Sequence, residues 1–378
     1  MRSPRHPLLD VTLLFTSLGF TAFGVPAAHV ALIERECVRR RGWLTREQFL
    51  DLLGIANLIP GPTSTELAMH VGYHRAGWIG LAAAGVAFIA PAALIVGLLA
   101  ALYVKGADIS VVGAVMQAVQ PVVLVVVLDA ILPLARTALK TPQMMVIGGA
   151  SLVAVAAGLP AIAVLLLAGL ASLVTHRTAL AAMMVTVGAA ATVAAQATSA
   201  TSLPGGWDVF GYFARTGSLL FGSGYVLLPV LEHDLVQQQG WLTGRQLVDA
   251  IAVGQATPGP VFTTATFVGY LLGGVPFAVV ATIGMFLPAF ICSALSAPHV
   301  QRLRRFAPAQ RFLAGVNAAA VALIGWVLVS LGRDVLVAPL PLFILAVAAA
   351  LVFVARITPG FVLAGAAVVG AVVSFTGV

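Results

Sequence analysis

Charged residues are scarce in this chain: they make up 9% of its 378 residues, while hydrophobic residues make up 60%. A soluble domain typically carries about a quarter of its residues as charges. With a mean hydropathy of +1.05, the chain cannot cover itself with a polar surface in water, which excludes a soluble globular protein. Its apolar stretches, such as 77–104, 109–134 and 274–298, exceed the roughly 20 residues that a helix needs to cross a bilayer.

Cysteine and lysine are nearly absent, with two of each. Cys37 and Cys292 have no metal-binding or redox spacing. A Walker A loop ends in Gly-Lys-Ser or Gly-Lys-Thr, whereas Lys105 and Lys140 both follow an apolar residue. This excludes a P-loop ATP-driven pump and leaves ion coupling or a channel.

The net charge of +7 raises the alternative of nucleic-acid binding. However, the arginines lie in short loops between apolar runs and form no basic stripe interleaved with aromatic residues. Positive charge at the cytoplasmic ends of membrane helices gives the same balance. No nucleic-acid partner is therefore expected.

The chain contains an internal duplication with an offset of 198 residues. The run Gly-Trp-Leu-Thr at 42–45 returns at 240–243, and Pro-Gly-Pro at 60–62 returns at 258–260. Nine of the 21 positions from 42 to 62 are identical at this offset. Because the N-terminal apolar segment also has a copy, we expect it to be part of the fold and not a cleaved leader.

Thirteen hydrophobic segments follow from the hydropathy pattern, the first six matching the last six. They cover about 8–33, 48–72, 77–104, 109–134, 143–158, 160–175, 178–200, 208–232, 247–272, 274–298, 311–331, 335–354 and 357–376. We expect a first transporter repeat over 1–177, a linking transmembrane helix over 178–207 and a second repeat over 208–378. An odd number of crossings before the second repeat inverts it, as in many secondary transporters. The predicted fold is an all-α polytopic membrane protein with two inverted-topology repeats.

Two segments in each repeat are interrupted by glycine and proline. The first repeat breaks at 24–26 and 60–62, and the second at 222–224 and 258–260. Proline inside a helix costs about 3 kcal/mol or more, and a break at membrane depth persists only where it is buried in protein or lines a wet cavity. A simple kink is the alternative, but paired broken segments favour a binding site.

The positive-inside rule bears on whether the broken segments cross or re-enter the bilayer. If they re-enter, 16 of the 20 Lys and Arg residues lie inside, and four lie outside: Lys105, Arg215, Arg245 and Arg333. If all thirteen segments cross, only 12 lie inside. The charges favour re-entrant hairpins, although a broken helix of about 25 residues is also long enough to cross.

The segments 42–45, 49–66 and 254–270 resemble the signature of the chromate ion transporter family, and the resemblance covers essentially the whole chain in its long two-domain form. The resemblance implies a multi-pass protein of the inner (plasma) membrane. It also implies chromate efflux that gives chromate resistance, with sulfate as a related oxyanion.

The residues around the breaks suit a tetrahedral dianion. A half-helix is predicted after each Pro-Gly-Pro, and its free N–H groups and positive dipole end form an anion site. The alternative is that these polar groups only cap helix ends. The predicted substrate-binding residues are Gly24, His29, Asn57, Gly61, Thr63, Ser64, Thr65, Gly222, Ser223, Gln255, Gly259, Thr263 and Thr264.

Two acidic residues inside apolar segments are candidates for proton coupling. Ionisable groups at membrane depth are costly and often belong to proton relays. For Asp129 the structural alternative is pairing with Arg136, and for Glu66 it is capping of the helix start. Glu34 and Glu232 match across the repeat and are expected to be solvated.

Three function classes remain. The first is a secondary active oxyanion transporter for chromate or sulfate, the second a divalent-metal carrier or channel, and the third a membrane enzyme. No nucleophile–base pair or metal triad supports an enzyme, and the pair His70 and His74 has no third ligand nearby. The expected partners are the anion and the bilayer, with a proton and a second copy of the chain as open alternatives. No metal or cofactor is expected.

Overall fold

The computed structural model describes residues 6–23, 26–106, 110–173, 204–220, 224–300 and 307–376. All regular structure within these ranges is helical, which confirms the all-α prediction. The expected linking helix around 178–200 and the site candidates Gly24, Gly222 and Ser223 lie outside the described residues.

The helices of the two repeats follow each other in the same order. Those of the first repeat are α1 Pro7–Thr21, α2 Pro26–Glu34, α3 Arg46–Ala56, α4 Thr63–Lys105, α5 Ser110–Ala138, α6 Pro142–Ala156 and α7 Ala161–Ala171. Those of the second are α8 Gly206–Leu219, α9 Leu227–Leu231, α10 Gly244–Ala256, α11 Thr264–Ser296, α12 Ala307–Val335, α13 Pro339–Ala349 and α14 Pro359–Thr376. A π-helical turn follows both α2 (Arg35–Arg40) and α9 (Glu232–Gln238).

The duplicated Gly-Trp-Leu-Thr-x-x-Gln run is a helix-start signal. Thr45 caps α3 by accepting from the N–H of Gln48, whose side chain accepts from the N–H of Thr45. Thr243 and Gln246 form the same reciprocal bonds before α10. Such a capping box satisfies two backbone donors that the helix leaves unpaired, which gives a physical reason for finding these residues in both repeats.

Four helices within the described ranges are long and apolar enough to cross a membrane. They are Thr63–Lys105, Val111–Ala138, Val261–His299 and Pro308–Val335. Shorter apolar helices accompany them, among them α1, α6 and α7. This is the composition of a multi-pass membrane protein, while the count of thirteen segments stays a prediction.

Helices α4 and α11 each contain a sharp reversal. Gly77 (φ +62°, ψ −152°) and Gly274 (φ +70°, ψ −154°) have backbone angles that suit glycine only. A Cβ on Gly72 would lie 2.7 Å from Ala84, although 12 residues of straight helix span about 18 Å. The chain therefore folds back at residues 76–77, so 63–75 forms a short helix packed on 78–105.

The chain divides into two compact units, and each draws on both repeats. The first consists of Met1–Val104, Pro204–Gly224 and Val253–Phe306. The second consists of Lys105–Leu203, Tyr225–Ala252 and Ala307–Val378. The division by repeat and the division by compact unit are therefore different partitions of the same chain, and both Pro-Gly-Pro breaks fall in the first unit.

Candidate functional site

A helix begins directly after each Pro-Gly-Pro break, as predicted. Helix α4 starts at Thr63, and after Pro260 a 3₁₀ turn leads into α11 at Thr264. The central glycines have positive φ, +132° at Gly61 and +96° at Gly259, which only glycine adopts readily. Each break therefore interrupts the helix completely and is not a simple kink.

Each break is held by the other repeat. The N–H of Gly61 donates to the carbonyl oxygen of Leu220 at 2.7 Å, and the N–H of Gly259 donates to that of Ala22 at 2.9 Å. Gly61 and Gly259 are equivalent positions, and so are Ala22 and Leu220. The two repeats thus exchange the same hydrogen bond, which is the pattern of a two-fold, self-complementary contact.

The side of the break that faces the opposite repeat has no room for a side chain. A Cβ on Gly61 would lie 2.8 Å from the Cβ of Ala289, and a Cβ on Gly259 would overlap Ala92. Ala92 and Ala289 are again equivalent, at an offset of 197. Close backbone approach therefore explains why glycine stands at the centre of both breaks.

The first turn of α4 buries four polar side chains. Thr63, Ser64, Thr65 and Glu66 are each at most 6% exposed. His29 of α2 is also buried, and its Nδ1 lies 3.4 Å from Ser64 Oγ. Thr65 Oγ1 and His29 Nε2 have no hydrogen-bond partner within the described ranges. The structure thus brings His29 to the predicted hydroxyl cluster.

Asn57 and Gln255 precede their breaks as predicted, but in different surroundings. Asn57 is exposed, and its Oδ1 accepts a 3.3 Å hydrogen bond from Thr63 Oγ1. Gln255 is buried at 8% exposure. The equivalent amides therefore do not occupy equivalent environments.

The hydroxyls of the second break already donate to the backbone. Thr263 Oγ1 donates to the carbonyl oxygen of Pro260 and Thr264 Oγ1 to that of Val261, each at 2.8 Å. A hydroxyl has a single hydrogen to donate. In this conformation only the first break, at Thr65, offers a buried hydroxyl without a partner in the described part of the chain.

Glu66 is fully buried, and neither of its carboxyl oxygens has a hydrogen-bond partner among the described residues. A Cβ on Gly61 would overlap Glu66 Oε1, so the carboxyl group lies directly against the break. Cys292 of α11 lies within electrostatic range of it. The second repeat has Thr264 and no acidic residue at the equivalent place. The two breaks are therefore asymmetric in charge.

Asp129 lies in α5 of the second unit and is partly exposed. Over the described ranges no ion pair joins it to Arg136, which is itself exposed. The structural alternative considered for Asp129 is therefore absent from this conformation.

A polar cavity of about 690 Å³ lies beside the first turns of α4, between α3 and residues 297–300. Its lining includes His70, His74 and His299, together with Asp51. Sequence reasoning paired His70 with His74 but missed His299, which is 225 positions further along than His74. No described group of three His, Cys, Asp or Glu residues is arranged to hold a metal ion.

The expectation that Glu232 is solvated is wrong. Glu232 is 4% exposed and accepts hydrogen bonds from Gln237 at 2.7 Å and Ser330 at 2.9 Å. The π-helical turn at Glu232–Gln238 keeps it inside the second unit, against α12. Glu34 is partly exposed and pairs with Arg39 at 3.1 Å, which is closer to the expectation.

Sequence reasoning also missed a buried amide–carboxylate pair in the second unit. Gln120 Nε2 donates to Asp249 Oδ1 at 2.8 Å, and both side chains are at most 8% exposed. The signal was present in the sequence, because Asp249 repeats Asp51 in register.

Helices long enough to cross a bilayer, interrupted pairwise by glycine–proline breaks with buried polar groups, define a polytopic membrane transporter. The sequence model of the family described as "Chromate transporter" matches this chain twice, at residues 9–173 and 207–371. The chain belongs to the chromate transporter family.

Curated relatives agree with this assignment. The chain is 30% identical to the chromate transport protein of Cupriavidus metallidurans, over 98% of this chain and 94% of that protein. It is 30% identical to the probable chromate transport protein of Synechococcus elongatus, over 88% and 86%. It is also 30% identical to the chromate transport protein of Pseudomonas aeruginosa, over 84% and 80%. No solved structure matches the chain.

Proposed function

We propose that this protein is a secondary active transporter that exports chromate across the plasma membrane and so gives chromate resistance. The relatives named chromate transport proteins match nearly the whole chain, which supports the substrate. The observation that carries the proposal is the pair of helix starts at Thr63 and Thr264. Each follows a break whose central glycine, Gly61 or Gly259, is hydrogen-bonded to the other repeat.

The substrate is a tetrahedral dianion bound between the two breaks. The first turn after each break has a positive dipole end, which binds anions, although the N–H groups of Thr65 and Thr263 already donate to the carbonyl oxygens of Pro62 and Pro260. Thr65 adds a buried hydroxyl without a partner in the described structure, and the buried imidazole of His29 lies beside Ser64 and the backbone of Ala22. The remaining predicted contacts are Asn57, Thr63, Gln255, Thr263 and Thr264, with Gly24, Gly222 and Ser223 at the other two breaks.

The repeats are related by inverted topology, and the broken segments do not cross on their own. The helix over 63–75 spans about 20 Å, which is less than the roughly 30 Å hydrocarbon core. The equivalent bonds from Gly61 to Leu220 and from Gly259 to Ala22 support a two-fold relation between the repeats. In an inverted pair the two helix starts approach the midplane from opposite sides.

Glu66 carries a proton whenever the dianion is bound. An ionised carboxylate without a partner in a low-dielectric interior is costly, and beside the break it would repel a second anion. Binding of chromate therefore requires a neutral Glu66, so one proton accompanies each dianion. Asp129 is the second candidate for proton coupling.

With this stoichiometry, export is favourable when the chromate concentration is equal on both sides. A dianion and a proton together move one net negative charge outward, which an inside-negative potential favours by about 2.3 kcal/mol per 100 mV. Moving the proton outward against one pH unit costs about 1.4 kcal/mol. The electrical contribution exceeds the chemical one at 100 mV, so the membrane potential alone can drive export.

Sulfate is the closest competing substrate, since it is also a tetrahedral dianion. Uptake into inside-out proteoliposomes should be measured in parallel with chromate, sulfate and a divalent metal. We expect chromate flux, competition by sulfate and no metal flux. Metal flux without anion flux would overturn the proposal in favour of a divalent-metal carrier.

A further inference from the structure

The polar cavity beside α4 runs from the protein surface to a buried histidine. Gln48, His74 and His299 are exposed, so they form its mouth. His70, at 1% exposure, forms its floor. A cavity of about 690 Å³ holds many water molecules, each of which occupies about 30 Å³ in the liquid.

His70 lies one helical turn from Glu66 on the same face of α4. Helix α11 offers matched partners along this seam: Cys292 is near Glu66, and Ser296 Oγ is 3.4 Å from His70 Nε2. The other ring nitrogen, Nδ1 of His70, is buried and has no partner in the part of the chain that the structure describes. His70, the buried imidazole at the cavity floor, is thus adjacent along the helix to the buried carboxyl at the break.

We propose that this cavity is the aqueous path by which Glu66 exchanges its proton with one side of the membrane, with His70 as the relay. The inference rests on the proposed function, in which Glu66 gains and loses a proton in each cycle. The carboxyl O–H of Glu66 gives its proton to the neutral imidazole of His70, leaving a carboxylate and an imidazolium. The imidazolium then releases a proton to cavity water, which restores the neutral ring.

The titratable groups around the path suit this role. Asp51 faces the cavity from α3, Tyr73 and His74 from α4, and His299 from the residues after α11. His29 of α2 reaches the same helix start through Ser64, and Cys292 of α11 lies within electrostatic range of Glu66. Asp51 and the histidines at the mouth attract and pass protons, whereas the described lining contains no lysine or arginine to repel them.

The second repeat has no equivalent relay. Thr264 stands near the position of Glu66, and Phe267 replaces His70 at the offset of 197 residues that relates Gly72 to Gly269. If the repeats are inverted, a relay in one repeat only provides this aqueous path on one side of the membrane.

The test uses the full-length protein in proteoliposomes and two readouts, chromate–chromate exchange at equilibrium and proton flux reported by a trapped pH dye. Chromate–chromate exchange at fixed pH does not require Glu66 to release its proton, whereas net chromate transport does. We expect His70→Gln to keep exchange within about two-fold and to slow proton flux by about ten-fold or more, since positioned proton-transfer groups contribute about 10²–10⁴-fold. His233→Gln, a buried histidine of the second unit bonded to Gln238, should leave both readouts unchanged.

Rescue separates a relay from a structural role. In His70→Ala, added imidazole should restore proton flux, because a free base can occupy the vacated space. Wild-type proton flux in His70→Gln, or failure of imidazole to restore flux in His70→Ala, would overturn the relay.

A third variant covers the case in which His70 variants do not fold. His299→Cys, at the exposed mouth and in a background lacking Cys37 and Cys292, should lose proton flux when a bulky impermeant thiol reagent is added from one side. Full flux after complete modification from either side would overturn the path. Absence of any chromate exchange in the wild type would instead refute the proposed function, so the two failures are distinguishable.

Discussion

The backbone N–H of Gly61 donates a 2.7 Å hydrogen bond to the carbonyl oxygen of Leu220, a residue of the other repeat. The reciprocal bond from Gly259 to Ala22 makes the relation symmetric. The break at 60–62 is thus anchored to the C-terminal end of α8, and the break at 258–260 is anchored to the C-terminal end of α1. A shift of either repeat at this point must disturb both bonds, which provides a physical basis for coordinated movement of the two breaks.

Alanine at Gly61 or Gly259 should impair the protein more than alanine at a glycine that also has a positive φ but has open space around it. An added Cβ would crowd Ala289 or Ala92 and would also force a positive φ on alanine. Overpacking costs about 1–3 kcal/mol, and a left-handed residue costs about 1–2 kcal/mol. The readout is the thermal unfolding midpoint in detergent, together with chromate flux.

Gly42→Ala is the matched control, because Gly42 has φ +61° but nothing within 4 Å of an added Cβ. It should lose only the backbone contribution. Equal losses of stability in Gly42→Ala and Gly61→Ala would show that close approach at the break is unimportant.

Hydroxyl removal should matter at the first break and hardly at the second. A hydrogen bond to a charged group contributes about 1.5–3 kcal/mol, so Ser64→Ala and Thr65→Ala should each weaken chromate affinity by about 10- to 100-fold. Thr264→Ala should change affinity by less than about three-fold, since its hydroxyl already donates to Val261. Equilibrium binding in detergent measures all three, and a larger loss in Thr264→Ala than in Thr65→Ala would refute this assignment.

Glu66→Gln should make chromate binding independent of pH. In the wild type, affinity should fall by up to about ten-fold per pH unit once Glu66 loses its proton, because one proton is linked to binding. Glutamine imitates the neutral acid, so affinity should stay high as pH rises. Glu34→Gln, which changes a partly exposed acid paired with Arg39, should keep the wild-type profile, and an unchanged slope in Glu66→Gln would exclude Glu66 as the linked group.

Asp129→Asn tests the second candidate. If Asp129 carries the coupled proton, the asparagine variant should bind chromate with wild-type affinity but lose uphill transport, because the amide keeps the shape and cannot release a proton. Uphill flux at the wild-type rate and pH dependence would leave Glu66 as the sole candidate.

Inverted topology predicts that equivalent loops lie on opposite sides of the membrane. Arg39→Cys and Gln237→Cys are equivalent, exposed positions 198 residues apart. In a background lacking Cys37 and Cys292, an impermeant thiol reagent should label Arg39→Cys from the cytoplasm and Gln237→Cys from outside. Labelling of both from the same side would refute the inverted repeat.

Of the two native thiols removed in the labelling background, Cys37 is buried and Cys292 is partly exposed. Burial raises the pKa of the Cys37 thiol to about 12, so the reactive thiolate is scarce in the folded protein at any pH used for labelling. Labelling of Cys37 should therefore appear only on unfolding, which offers a measure of the folded fraction in each preparation.

The sequence by itself determined that the chain resides in a membrane, that it is duplicated, and that a helix restarts after Pro62 and after Pro260. These features are local or compositional: hydropathy sets the solvent, Pro-Gly-Pro interrupts a helix, and a Thr-x-x-Gln capping box starts one. Each can be read without knowing which distant residues meet.

Only the tertiary structure decided which of the equivalent residues share an environment. The buried hydroxyl of Thr65 has no partner among the described residues. In contrast, the hydroxyls of Thr263 and Thr264 donate to carbonyl oxygens of the turn that precedes α11. Likewise, His299 joins the cavity of His70 through folding alone. Contacts between residues 198 or more positions apart depend on how helices pack, and a hydropathy pattern carries no information about that packing.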